Sequence, residues 1–99
     1  MAINTTEDNG KLIIKIDGRF DFSIHQEFRN AYEGAKSTPK EYEVDMRTTS
    51  YLDSSALGML LLLRDFAGGN NAKISIINTS PDVRKILTIS NFEQLFTVS

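Results

Sequence analysis

Residues 51–65 read YLDSSALGMLLLLRD, an acid and two serines set directly ahead of a dense apolar run. Aspartate and serine are favoured helix N-caps, because a short side-chain oxygen can accept from the unpaired amides of the first turn. The apolar run behind them, closed by Gly68-Gly69 as a left-handed cap, predicts a helix beginning near Ser54. One cap accounts for one polar residue, yet three stand in a row. The helix is also apolar nearly all round. Leu57, Leu60 and Leu61 fall on one side, while Met59, Leu62, Leu63 and Phe66 spill onto others. Such a helix is either buried between neighbours or keeps an apolar strip for a partner. With three helices available to cover one another and a sheet, some exposure is expected.

The flanking segments set the fold class. Asn9-Gly10 is a strong two-residue hairpin signal, since both residues tolerate positive φ, and it predicts pairing of residues 3–7 with residues 11–16. Ser23 and Gln26 fit a Ser-x-x-Gln capping box, followed by Ile24, Phe28, Ala31, Tyr32 and Ala35 at helical spacing. Pro39 ends that region. EYEVDM, residues 41–46, alternates as a strand around Tyr42, Val44 and Met46, and AKISIIN, residues 72–78, is the next strand. Ser80-Pro81-Asp82 starts a helix reaching about Ile89 with Val83, Ile86 and Leu87 inward, and residues 95–98 form a last strand.

The order β-β-α-β-α-β-α-β predicts one small α/β domain over residues 1–99. An N-terminal β-hairpin is followed by alternating helices and strands in a mixed, largely parallel sheet. In such sheets the ligand-facing rim lies at the carboxyl ends of the parallel strands. Asp21, Asp53-Ser54-Ser55 and Thr79-Ser80 each follow a strand, so all three loops are expected on one rim.

Composition narrows the chemistry. With 40% apolar and 24% charged residues the chain reads as an ordinary globular one. It has no cysteine, which removes disulfides, thiol chemistry and the common structural zinc sites. The first ten residues lack the basic start and apolar stretch of a signal peptide, and the longest apolar run, residues 56–63, is far short of a membrane span. A net charge of −2 without a basic block gives no cationic face for nucleic acid. The expectation is a cytoplasmic protein, monomeric when free, with no cofactor and no metal site.

Catalysis has one candidate. The single histidine, His25, is expected near the same rim, so a Ser54–His25–Asp21 arrangement for a small hydrolase is topologically open. Against it, the Gly-x-Ser-x-Gly elbow is absent and an exposed helical histidine is the simpler reading. No phosphate-binding glycine loop follows a strand, and Gly68-Gly69-Asn70-Asn71 reads as a turn. The chain is read as carrying no catalytic residues.

YLDSSALGMLLLLRD, with the upstream GRFDF and the downstream SPDVRKILTISNFEQLF, resembles the STAS domain of bacterial anti-sigma factor antagonists, nearest to stand-alone members of gammaproteobacterial partner-switching pathways. Ala56 stands where that family often has glycine, a change that favours the helix. The resemblance implies that Ser54 is a phosphoacceptor, with Ser55 as the other candidate, and that Asp21 sits beside it on the partner-facing surface. Asp53, Ser54, Ser55, Leu57, Met59 and Leu63 are expected to join Asp21 in contacting the partner. It further implies an anti-sigma factor or equivalent regulator as partner, and a serine kinase and a phosphoserine phosphatase, two of which can be one protein. STAS domains also serve transport systems, including lipid carriers, so a non-switching transport subunit is the alternative.

Overall fold

The computed structural model describes residues 2–35 and 38–99. Strands β1 (Ile3–Asp8) and β2 (Lys11–Ile16) form the expected antiparallel hairpin, in register from Ile3 opposite Ile16 to Asp8 opposite Lys11. Its turn needs positive φ at both positions, and Asn9 (51°) and Gly10 (83°) supply it. Strands β4 (Glu41–Asp45), β6 (Ile74–Ile77) and β7 (Thr97–Val98) add in parallel to give the order β1-β2-β4-β6-β7. Period-two alternation turns Leu12, Ile14, Ile16, Val44 and Ile76 into one core, each essentially inaccessible to solvent. The sheet is mixed and mostly parallel, as expected.

Two strands were not expected from the sequence. Residues Gly18–Phe20 (β3) and Thr49–Leu52 (β5) pair in parallel as a separate two-stranded sheet. The described residues therefore hold seven strands, and the last, Thr97–Val98, is shorter than the expected residues 95–98, following a 3₁₀ turn at Phe92–Gln94. Each added strand feeds directly into a helix, which moves the candidate residues from the ends of the main sheet to the end of this small one.

Helix α1 (His25–Glu33) follows a 3₁₀ turn at Phe22–Ile24 and buries Phe28 and Tyr32, with Ala31 and Ala35 packed against the core. Its start differs from the expected capping box. Asp21, not Ser23, caps the turn, and Gln26 turns outward to donate to Asn30 at 3.1 Å. Extended backbone at Asp21 lets its carboxylate reach the Ser23 amide two residues on, which takes the capping position. Helix α2 (Ser54–Ala67) buries Ala56, Met59, Leu60 and Leu63 and ends at Gly68, where φ of 122° excludes most side chains. Helix α3 (Pro81–Ile89) is capped by Ser80, whose Oγ accepts from the Val83 amide at 3.2 Å, and buries Val83 and Leu87. The amide of Ile3, at the start of β1, donates to the Glu27 carboxylate on α1 at 3.1 Å. No helix among the described residues is long and apolar enough to cross a membrane.

Candidate functional site

The small sheet brings two loops together. Arg19 lies opposite Tyr51 and Phe20 opposite Leu52, and the Asp53 amide reaches the Phe20 carbonyl at 3.4 Å. Phe20 and Leu52 are buried, so alternation turns Arg19 and Tyr51 outward, with Asp21 and Asp53 two residues further along the same face. The Arg19 guanidinium lies 4.5 Å over the Tyr51 ring, and its Nε donates to Asp21 Oδ2 at 3.2 Å.

The two acids are held alike. Asp21 Oδ1 accepts from the Ser23 amide at 3.0 Å and from the Ser23 hydroxyl at 2.5 Å. Asp53 Oδ1 accepts from the Ala56 amide at 3.1 Å and from the Ser55 hydroxyl at 2.6 Å. The Ser23 hydroxyl, then Arg19, holds the Asp21 carboxyl below its ordinary value; the Ser55 hydroxyl does the same for Asp53. The Asp21 charge opposes ionisation of Asp53, but the hydrogen bonds to Asp53 outweigh it. Both carboxylates are ionised at neutral pH.

This geometry separates the two serines. Ser55 is half-buried and committed to Asp53. Ser54 occupies the first position of α2, is exposed, and its hydroxyl has no hydrogen-bond partner among the described residues. The opening question of three polar residues in a row resolves into three positions: Asp53 caps, Ser55 steadies the cap, and Ser54 is left facing solvent.

Other expected residues fall elsewhere. Met59 is 7% exposed and Leu63 is 0% exposed, so neither offers a surface to a partner; both belong to the core face of α2. Leu57 is half-buried, and the large apolar side chains of α2 that face solvent are Leu61, Leu62 and Phe66. Thr79 is tied through its amide and hydroxyl to the Ser99 carbonyl, at 3.2 Å and 2.9 Å, and Ser80 caps α3. The third loop thus lies beside the carboxyl end of β7 in the main sheet, while the other two loops leave β3 and β5 of the small one. His25 stacks on Phe22 with ring centroids 4.1 Å apart and its Nδ1 lies 3.1 Å from the Phe22 carbonyl. With Asp21 engaged by Ser23 and Arg19, these contacts form no relay from Ser54 through His25 to Asp21.

Sequence reasoning missed Arg19, Tyr51 and Phe22, the last 62% exposed beside Asp21. The signal was present in GRFDF: Arg19 and Asp21 are two apart, which places them on one face once β3 is recognised as a strand.

These features are those of a small α/β domain with a capped, hydroxyl-bearing helix start. The chain belongs to the STAS family: the family model described as "Mlab, STAS domain" matches residues 3–97. A STAS-domain containing protein of Pseudomonas aeruginosa (strain UCBPP-PA14) is 66% identical over 101 residues, covering all of both chains. Among solved structures, the anti-sigma factor antagonist SpoIIAA in its unphosphorylated form shares the fold with a TM-score of 0.72 and 18% identity, over 99% of this chain and 87% of that one. A sulfate transporter family protein from Wolinella succinogenes does so with a TM-score of 0.76 and 18% identity, over 93% and 80%. The fold is thus common to anti-sigma factor antagonists and transporter-linked proteins.

Proposed function

We propose that this protein is an anti-sigma factor antagonist that works by partner switching. It binds an anti-sigma factor or equivalent regulator while the Ser54 hydroxyl is free and releases it when Ser54 is phosphorylated. One observation carries the reading: the exposed, unbonded Ser54 hydroxyl stands at the mouth of α2 beside two ionised carboxylates. A phosphate there adds about −1.5 to −2 charge. The helix tolerates it, because an anion is favoured at a helix N-terminus. A partner covering the rim would have to desolvate that charge next to Asp21 and Asp53. Like charges about 4 Å apart at an effective dielectric near 20 repel enough to weaken binding on the order of a thousandfold. The protein itself performs no chemistry in this scheme; a serine kinase supplies base and nucleotide, a phosphatase reverses the step, and the regulator can double as the kinase.

Phosphosite mapping after treatment with a partner serine kinase, followed by calorimetry against the anti-sigma factor it regulates, tests the proposal. Label lost in Ser54→Ala, tight binding by native protein and loss of binding on phosphorylation are expected. Label retained in Ser54→Ala, or equal binding by both forms, would overturn it. The likeness to a sulfate transporter family protein favours a second reading, a constitutive subunit of a transport complex, lipid carriers included. In that case Ser54→Ala and Ser54→Glu would bind alike.

A further inference from the structure

Arg19 is held in an unusual position for a surface cation. Its side chain is 66% exposed, yet the guanidinium is fixed from two directions, by Tyr51 beneath it and by Asp21 at Nε. Only Nε is used. Neither terminal nitrogen has a hydrogen-bond partner among the described residues, so the outer edge of the fork, with its N–H donors, is vacant. Arginine is the residue suited to two-point recognition of a planar or tetrahedral oxyanion. The β3–β5 pairing sets this fork opposite Tyr51 on the strand that leads into Asp53-Ser54, and Asp21, which Arg19 grips, is close enough to influence Asp53 electrostatically.

We propose that Arg19 is the receptor for the phosphate on Ser54: its terminal nitrogens bind the phosphoryl oxygens while Nε stays on Asp21. This rests on the reading of Ser54 as phosphoacceptor and adds how the modified state is held. Asp21 and Asp53 repel the phosphate, and Arg19 on the same face offsets that repulsion. Because the fork is already immobilised by Tyr51 and Asp21, closing on the phosphate costs little side-chain freedom. The bound phosphate then lies over the Arg19–Tyr51 ledge and covers it, instead of swinging into solvent.

The test uses the full chain with phosphoserine encoded at position 54, made without kinase or regulator. Two readouts are taken: the Nε–Hε resonance of Arg19 by ¹⁵N NMR and the second pKa of the phosphate by ³¹P NMR. A nearby cation favours the dianion, so Arg19→Gln should raise that pKa by roughly half a unit, the size expected of an exposed ion pair. Arg19→Lys should fall between. The Arg19 resonance should move on phosphorylation, and the difference between variants should shrink at high salt. Equal phosphate pKa values in native and Arg19→Gln protein, or an Arg19 resonance unchanged by phosphorylation, would overturn the proposal. Amide spectra of core residues in each variant confirm that the fold is retained. Should the phosphate sit on Arg19 while the regulator binds regardless, the switch falls and the contact stands.

Discussion

Ser55 donates to Asp53 at 2.6 Å, and Ser54 one position earlier donates to nothing among the described residues. Removing Ser55 should therefore be felt at Asp53. In Ser55→Ala the Asp53 carboxyl should rise toward its ordinary value of 3.8, whereas Ser54→Ala should leave it in place; ¹³C NMR titration of the carboxyl checks both. The same bond links Asp53 to acid stability. A depressed folded-state pKa means the stabilisation is complete above 3.8 and is lost as pH falls through the lower folded value. Asp53→Asn still caps but carries no charge, so its urea midpoint should fall less steeply than the native one over that acid interval. In the sequence the two serines were interchangeable, because capping chemistry is the same for either hydroxyl. Only the helix start, which sets Asp53 as cap and Ser54 as the first residue, distinguishes them.

Helix α2 shows where sequence periodicity runs out. With apolar residues on almost every face, spacing alone does not say which stripe is inward, and Met59 and Leu63 were placed on the wrong side. Helix α1, where Phe28 and Tyr32 alternate with polar residues, was legible for the opposite reason. Leu60→Ala, at 0% exposure, should cost about 2–5 kcal/mol by leaving a cavity, while Leu62→Ala, at 59% exposure, should change stability by less than about 0.5 kcal/mol. Urea unfolding with unchanged slope measures both. Strands β3 and β5 were not anticipated because three and four residues, one of them a glycine and three of them Arg19, Thr49 and Ser50, give too short an alternation to recognise. They are also the elements that build the rim, so the site was legible in its residues and not in its framework.

Across the molecule, alternation of strands and helices carried the topology, since parallel pairing of β2, β4 and β6 follows from helical crossovers. The main sheet and the two-stranded sheet are separate ladders, and only the second carries Ser54 at its exit. Phosphorylation should accordingly be a local event. Amide shifts should change across residues 19–25 and 51–57, while Val44 and Ile76 at the centre of the main sheet stay put; changes spread through that sheet would show a rearrangement of the whole fold.

The contact between Glu27 and the Ile3 amide has a consequence for how copies of this chain behave at high concentration. An outermost strand offers its spare amides to any passing extended segment, and unguarded strands of this kind seed aggregates. Here the first of those donors is already claimed by a carboxylate from a helix, and an intruder would have to evict a charge before it could begin to pair.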